Sequence, residues 1–356
     1  MRYAVLGFWL LFSPVISQQG ASEKPTNIIL VIGDGMGLAQ IALAEYLTKP
    51  PSPLAQMEVI GLQKTHSVNN LETDSAASGT AMSCGVKTFN AGVGVGPDSI
   101  MLPTIMELAK AKGMKTGFVV TSSVVHATPA TFYAHSNSRA TYEAIATQLV
   151  ESGMDVFIGG GQKYFEDRYS DRVNLLDILK AKNYAVITSN ATTTNYKLAS
   201  IENDKKIALF TAYEDPARAT LGRTYFPEIT AEAMEALKSR SDKGYFLMIE
   251  ASQIDWAGHA NDQEWLALEV QDAYRMLELV LEKVKEDENT LLIVTADHEC
   301  SYMSLAGKKS PRVQFNSKVH SSQMVPVFAT GPGAEAFLGI YENTAIFDKM
   351  KSLLGL

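Results

Sequence analysis

The chain has 356 residues, enough for one large domain or two small ones with a sizeable buried core. Hydrophobic residues make up 46% of it and charged residues 20%, which is typical of a globular protein and excludes a disordered or fibrous one. The 31 Lys and Arg against 39 Asp and Glu give a net charge of −8, which argues against a surface that binds nucleic acid.

The first 21 residues have the pattern of an export signal. Arg2 precedes an apolar run that ends at Ile16, and small residues follow the run. This run is shorter than the roughly 20 residues that a membrane-spanning helix needs. We therefore expect a signal peptide over residues 1–21, cleaved after Ser17 or Ala21. The mature protein would then be periplasmic or secreted, without a membrane anchor.

After the signal, apolar runs that predict strands alternate with stretches that predict helices. In chain order, the predicted elements are strand Asn27–Ile32, helix Leu38–Leu47, strand Glu58–Lys64, helix Asp74–Cys84, helix Pro103–Lys112, strand Thr116–Thr121, helix Thr141–Glu151, strand Asp155–Ile158, helix Leu175–Ala181, strands Tyr184–Thr188 and Lys206–Phe210, helix Ala231–Lys238, strand Tyr245–Ile249, helix Trp265–Lys285, strands Leu291–Thr295 and Val325–Ala329, and helix Thr344–Leu353. Strands that are apolar throughout predict a three-layer α/β/α sandwich around a mainly parallel sheet. We expect a single domain over residues 22–356, with a polar surface insertion at about 302–319.

Side chains that can bind metal ions lie next to the ends of several predicted strands. These side chains are Asp34, His126, Thr128, Glu250, Asp255, His259, Asp297, His298 and His320. In open α/β sheets, ligands bind beyond the carboxyl ends of the strands, so we expect these residues to lie together. Carboxylates with imidazoles suit zinc, and carboxylates with hydroxyls and water suit magnesium. Taken singly, each residue has an ordinary explanation, such as a turn for Asp34. Their coincidence indicates a site.

The segment Thr73–Ser78 (TDSAAS) lies at the start of a predicted helix and allows two interpretations. It is rich in good helix N-caps and in alanine, so it can be purely structural. Alternatively, Ser75 is a nucleophile at the helix start, where backbone N–H groups and the helix dipole favour a phosphate. A serine hydroxyl needs activation for this role, and a zinc ion can provide it.

TDSAAS resembles the nucleophile motif of the alkaline phosphatase family. Further segments of that family occur in the right order, namely VIGDGMG at 31–37, HATPA at 126–130 with Arg139 downstream, FIGGG at 157–161, IEASQIDWAGHAN at 249–261, VTADHE at 294–299, and VHSS followed by VPVFATGPG ending at 333. The chain resembles the short bacterial members. This resemblance implies the alkaline phosphatase-like fold with a small crown at about 302–319, hydrolysis of phosphate monoesters, and a homodimer.

The resemblance also implies the roles of individual residues. Ser75 is the nucleophile that becomes phosphorylated, and Arg139, oriented by Asp74, grips two phosphate oxygens. The implied metal ligands are Asp255, His259 and His320 for one zinc ion, Asp34, Asp297 and His298 for a second zinc ion, and Asp34, Thr128 and Glu250 for a magnesium ion.

Three places depart from the family pattern. His126 stands where the enterobacterial type has aspartate. We expect it at the magnesium site, directly or through water, with weaker magnesium binding than a carboxylate would give. Trp256 stands where that type has lysine, and it is either part of the substrate pocket or an ordinary core aromatic. Cys300-Ser301-Tyr302 stands where the family often has Thr-Gly-Gly, which leaves the local loop geometry open.

Other positions leave alternatives open. Cys84 and Cys300 could form a disulfide, and Cys300 could instead enter a zinc shell. His66 and His135 match no ligand and are interpreted as structural. The main hypothesis is a secreted alkaline phosphatase with two zinc ions and one magnesium ion. The alternatives are a phosphodiesterase or sulfatase of the same superfamily, and a non-catalytic protein that binds phosphate or metal.

Overall fold

The computed structural model describes residues 24–189 and 197–356, so the predicted signal peptide lies outside the described residues. The strands are β1 (Asn27–Gly33), β2 (Val59–Lys64), β3 (Lys115–Ser123), β4 (Val156–Gly160), β5 (Tyr184–Ile187), β6 (Lys206–Phe210), β7 (Tyr245–Ala251), β8 (Thr290–Ala296), β9 (Glu299–Cys300), β10 (Ser304–Ala306), β11 (Arg312–Gln314), β12 (His320–Ser321), β13 (Val325–Thr330) and β14 (Gly339–Glu342). The helices are α1 (Leu38–Leu47), α2 (Ser75–Cys84), α3 (Ile105–Ala111), α4 (Ala127–Ala130), α5 (Tyr142–Ser152), α6 (Lys163–Glu166), α7 (Leu175–Ala181), α8 (Phe226–Ser239), α9 (Gln253–Ala260), α10 (Gln263–Lys285) and α11 (Thr344–Leu354). Within both described ranges, no helix combines the length and apolar character required to cross a bilayer.

A ten-stranded sheet forms the middle layer, in the spatial order β14-β2-β13-β8-β1-β7-β3-β4-β6-β5. β13 runs antiparallel to both of its neighbours, and every other pairing in this sheet is parallel. The mainly parallel sheet that the apolar strands predicted is therefore confirmed.

The central strand β1 shows why the fold has three layers. All seven of its residues are buried, as expected for a strand covered on both faces. Ile28 and Leu30 pack into a core with residues of α2, α3, α5 and α11, whereas Ile29 and Val31 pack into a second core with α1, α8 and α10. Burying each such side chain contributes about 1.5–3 kcal/mol. Helices on both faces confirm the predicted sandwich.

Most predicted elements agree with the structure to within a few residues, and the differences have local causes. Helix α8 begins at Phe226, five residues before the prediction, because Pro227 fits the first turn of a helix. The prediction missed the short strands β9–β12 and β14 and the helices α4, α6 and α9. Within the insertion predicted at 302–319, β10 and β11 form a short antiparallel pair.

Candidate active site

Ser75 is the first residue of α2, and the sequence explains its position. Asp74 caps the helix, because its Oδ1 accepts a hydrogen bond from the Ala77 backbone N–H at 2.9 Å. All ten residues of α2 are buried. A Cβ on Gly79 would come within 2.7 Å of the Thr131 hydroxyl, so glycine is needed for the close approach of this helix to the segment after α4.

The Ser75 hydroxyl faces the first group of predicted ligands. Its Oγ lies 3.4 Å from Nε2 of His298. That nitrogen lies 3.2 Å from Oδ2 of Asp297 and 3.5 Å from Oδ1 of Asp34. Asp34 follows β1, and Asp297 follows β8, its parallel neighbour in the sheet, so the two carboxylates end up side by side. The Gly35 backbone N–H donates to Asp297 Oδ1 at 3.1 Å and fixes its orientation.

The second group consists of Asp255, His259 and His320. Asp255 and His259 are four residues apart on α9 and lie on one face of it, with Nε2 of His259 3.2 Å from Oδ2 of Asp255. Nε2 of His320 lies 3.4 Å from Oδ1 of Asp255. The Nδ1 atoms of the two histidines contact the backbone carbonyls of Lys318 and Thr73 at 2.6 and 2.7 Å. These contacts leave both Nε2 atoms facing the site.

A third group joins Asp34 to His126 and Glu250, whose potential ligand atoms lie within 4.8 Å of one another. Ser252 donates its hydroxyl to Glu250 at 2.7 Å, and the buried Thr128 hydroxyl lies against the same carboxylate. The structure thus brings His126 to the predicted magnesium site. Burial, with a smaller effect from Arg139, lowers the pKa of His126 to about 3, so its imidazole is neutral.

Arg139 lies between the serine and the third group. Its Nη1 donates to Oδ2 of Asp74 at 2.9 Å, and its Nη2 lies 3.4 Å from Nε2 of His126. Asp74 therefore contacts both the start of the serine helix and the guanidinium. Trp256 lies edge-on to the His126 ring, with centroids 5.6 Å apart, and also packs against the core.

The electrostatics of the site fit the binding of cations. Burial, together with Asp297 nearby, raises the pKa of Asp34 well above its usual range. Burial also raises the pKa of Glu250 to about 7 and that of Asp297 to about 6. Within the described residues, neither oxygen of Asp34 makes a hydrogen bond, nor does Nδ1 of His126. Buried carboxylates of this kind are stable when they bind cations, so the residues present fit divalent metal ions.

Some residues around the site were not assigned a role from the sequence. Glu299 ends the motif VTADHE and is fully buried. Its carboxylate accepts hydrogen bonds from the Met303 backbone N–H at 2.8 Å and from the hydroxyl of Ser321, which follows His320. Glu299 thereby ties the loop after His298 to the short strand β12. The motif was visible, but only the fold shows which residues its carboxylate joins.

The structure also shows where the two cysteines and the two remaining histidines lie. Cys84 and Cys300 are free and buried, so the disulfide alternative is wrong. The Cys300 thiol instead lies within 4.8 Å of the ligand atoms of the second group. His135 contacts Glu107, and His66 contacts Glu342. Among the described residues, neither histidine belongs to a group of potential metal ligands.

Comparison with known proteins gives the family. The family model described as alkaline phosphatase matches residues 25–314. Alkaline phosphatase 4 of Bacillus subtilis is 36% identical, with 89% of this chain and 86% of the relative covered. Alkaline phosphatase of Escherichia coli is 31% identical, with coverages of 94% and 87%.

Solved structures agree with these sequence matches. The alkaline phosphatase of the Antarctic bacterium TAB5 is 40% identical and superposes with a TM-score of 0.89, covering 94% of this chain and 99% of that one. Two further structures of the TAB5 enzyme have a histidine replaced by Glu or Asp and are described as having Mg bound in the M3 site. The resemblance inferred from the motifs is confirmed: the chain belongs to the alkaline phosphatase family and is a phosphatase.

Proposed function

We propose that this phosphatase hydrolyses phosphate monoesters by in-line transfer of the phosphoryl group to Ser75. The observation that supports this proposal is the position of the Ser75 hydroxyl, which begins a helix and lies 3.4 Å from His298 where three groups of metal-binding side chains meet. Backbone N–H groups at a helix start favour a phosphate, and Arg139 offers a planar fork for two of its oxygens.

Two zinc ions and one magnesium ion fit the three groups. We assign Asp255, His259 and His320 to one zinc ion, Asp34, Asp297 and His298 to the other, and Asp34, Thr128, Glu250 and His126 to magnesium. Bound divalent cations would supply neutralisation of the phosphate charge and of the entering and leaving oxygens. Imidazole and carboxylate donors suit zinc, and oxygen donors suit magnesium.

The residues of the chain perform the transfer in two displacements. Ser75 loses its proton and its Oγ forms a bond to phosphorus while the bond to the alcohol oxygen breaks, and the alcohol leaves with a proton. Water then attacks the phosphoserine, the bond between phosphorus and Oγ breaks to release inorganic phosphate, and a proton of that water returns to Oγ. Arg139 holds the phosphoryl oxygens in both displacements, and Asp74 fixes the orientation of the guanidinium.

His126 gives the magnesium site its particular character in this chain. A neutral imidazole is a poorer ligand for magnesium than a carboxylate, so the third site would bind the ion weakly. The TAB5 structures that hold Mg in the M3 site carry an acidic residue in place of a histidine, which supports a corresponding role for His126.

Export and dimerisation complete the proposal. The signal-like residues 1–21 would direct the chain to the periplasm or the medium.

For the homodimer we assign the outer face of β2 and β14, where Ile60, Leu338 and Ile340 are 58%, 58% and 63% exposed. Ile340 pairs with Leu62, which is two residues from Ile60, so Ile60 and Ile340 lie on one face of the sheet, and Leu338 directly precedes β14. Amino-terminal sequencing of the exported protein tests the export. Sedimentation of wild type and of Ile340→Glu tests the homodimer.

The enzymatic proposal is tested by metal analysis of the purified mature protein together with turnover of p-nitrophenyl phosphate across pH. We expect zinc and magnesium in the protein and a faster reaction on this monoester than on bis-p-nitrophenyl phosphate or p-nitrophenyl sulfate. A preference for the diester or for the sulfate would contradict the proposal and favour the related activities.

A further inference from the structure

Ser301 and Tyr302 have an unusual backbone conformation next to the metal ligands. Their φ angles are 73° and 48°, in the left-handed region that favours glycine. In residues 24–189 and 197–356, they are the one pair of consecutive non-glycine residues with positive φ. The loop thus keeps a backbone that suits the Gly-Gly often found here in the family, but it carries a large aromatic side chain. Strained backbone of this kind clusters at active sites and ligand-binding sites.

The Tyr302 side chain reaches across to the loop that carries the nucleophile. Its hydroxyl donates a hydrogen bond to the carboxylate of Glu72. Glu72 precedes Thr73, whose carbonyl lies 2.7 Å from Nδ1 of His320. On the other side, β9 pairs with β12, so that Cys300 lies opposite His320, two residues before Tyr302. The tyrosine and the glutamate are therefore each within two residues of a position that contacts or pairs with His320.

This pair is accessible and negatively charged. Tyr302 is 37% exposed and Glu72 is half-buried, so an incoming molecule can reach both. No lysine, arginine or histidine in the described parts of the chain forms an ion pair with Glu72. An unpaired carboxylate beside a site for phosphate opposes the binding of the phosphate itself. Its benefit must therefore concern another part of the substrate.

The chemistry of Tyr302 and Glu72 indicates which part of the substrate they favour. The Glu72 carboxylate, held at the hydroxyl end of Tyr302, attracts an ammonium group through charge, and the exposed ring of Tyr302 offers a face for the cation–π interaction. The same carboxylate repels a second anionic group. Ser75, the attacking group, lies 3.4 Å from His298, so an in-line displacement puts the leaving alcohol on the opposite side of phosphorus, towards the group that contains His320. The pair therefore lies where the alcohol part of the ester would extend.

We propose that Tyr302 and Glu72 form a subsite for the alcohol part of the substrate, and that this subsite favours phosphate esters of amino alcohols over esters that carry a second anionic group. This inference rests on the proposed function, because it assigns a substrate class to the same site.

The test compares kcat/KM of the metal-loaded mature enzyme for phosphoethanolamine, glycerol 2-phosphate and 3-phosphoglycerate. We expect wild type to prefer them in that order. In Glu72→Gln and in Tyr302→Gly, the ratio of phosphoethanolamine to 3-phosphoglycerate should fall by about three- to tenfold. Tyr213 and Asp167 form an exposed tyrosine–carboxylate pair of the same kind elsewhere, so Tyr213→Phe and Asp167→Asn serve as matched controls in which the ratio should not change.

Thermal unfolding distinguishes a subsite from a structural contact. Glycine accepts the left-handed conformation at position 302, so we expect Tyr302→Gly to lose selectivity without a lower unfolding temperature. A variant that unfolds at a lower temperature while its substrate ratio stays at the wild-type value would overturn the inference. So would equal kcat/KM of wild type for the three esters. If wild type hydrolyses none of them and no p-nitrophenyl phosphate, the proposed function itself fails.

Discussion

The Nε2 atoms of His259 and His320 lie 3.0 Å apart, and the Nδ1 atom of each ring contacts a backbone carbonyl. With Nδ1 donating its proton to the carbonyl, the two Nε2 lone pairs point at one another and at Asp255. Such an arrangement is favourable only when a positively charged species lies between the rings. The two carbonyls thus prepare the histidines for a cation before it binds.

Removal of metal ions should therefore destabilise the protein as well as stop turnover. A chelator takes away ions that bind the folded chain and leaves the carboxylates of Asp34, Asp297 and Asp255 to repel one another. Binding at a thousandfold excess over Kd contributes about 4 kcal/mol, so the unfolding temperature should fall by about 5 °C or more. Calorimetry with and without chelator measures this change, and added zinc and magnesium should reverse it. An unchanged unfolding temperature would contradict the metal assignment.

Replacement of the nucleophile should separate catalysis from metal binding. In Ser75→Ala, turnover of p-nitrophenyl phosphate should fall by about 10³-fold or more, because no side-chain oxygen remains to accept the phosphoryl group. Metal content should stay at the wild-type level. Ser83→Ala, near the other end of α2, is the matched control and should retain turnover. Turnover of p-nitrophenyl phosphate at the wild-type rate in Ser75→Ala would contradict the proposed mechanism.

The guanidinium at position 139 should matter for its shape and not only for its charge. Arg139→Lys keeps one positive charge but loses the two parallel donors, so kcat/KM should fall by about 10- to 100-fold. Inhibition by inorganic phosphate should weaken by a similar factor.

Asp74→Asn tests how Arg139 is oriented. Asparagine is also a good N-cap, so the start of α2 should be preserved while the charged contact of 2.9 Å to Arg139 is lost. We expect a smaller decrease in kcat/KM than in Arg139→Lys, with an unfolding temperature close to that of wild type. A decrease larger than that of Arg139→Lys would show that Asp74 acts in another way.

His126→Asp should strengthen magnesium binding. It replaces a neutral ring, 3.4 Å from the Arg139 guanidinium, by a carboxylate that magnesium prefers and that attracts the same guanidinium. The magnesium concentration that gives half-maximal activity should fall by about tenfold, and metal analysis should find more magnesium per chain. No change in magnesium content would place His126 outside the third site.

A histidine away from the site should control part of the pH dependence of stability. Nε2 of His135 lies 3.2 Å from Glu107, and this contact raises the pKa of His135. Because the folded-state pKa lies above that of the unfolded chain, the contribution is fully present below about pH 6.5 and is lost as the pH rises through the folded pKa. His135→Gln should therefore lower the free energy of unfolding at pH 5.5 by about 0.5 kcal/mol, given the partly exposed Glu107, and much less at pH 9. Equal losses at both pH values would contradict this assignment.

The sequence was sufficient for the sheet and for the clustering of polar side chains at its edge, because both depend on short-range signals. The division of these side chains into three sets of metal ligands came from the family resemblance instead. Fully apolar strands with carboxylates at their ends predicted the parallel sheet and the place of Asp34 and Asp297. The contact between Glu299 and Ser321 was not predictable, since it depends on a pairing of two-residue strands that carry no hydrophobic pattern. The contact between Tyr302 and Glu72 was not predictable either, because it depends on a left-handed backbone conformation at residues that rarely adopt it.

The reversed direction of β13 explains how a proposed metal ligand that precedes its strand joins proposed ligands that follow theirs. An antiparallel strand starts at the edge of the sheet where its parallel neighbours finish, so His320, five residues before Val325, arrives at the same edge as Asp34 and Asp297. Suppose that, in a sequence of unknown topology, most candidate metal ligands follow an apolar run directly. A candidate ligand that instead precedes its apolar run then indicates that this run forms an antiparallel strand of the sheet.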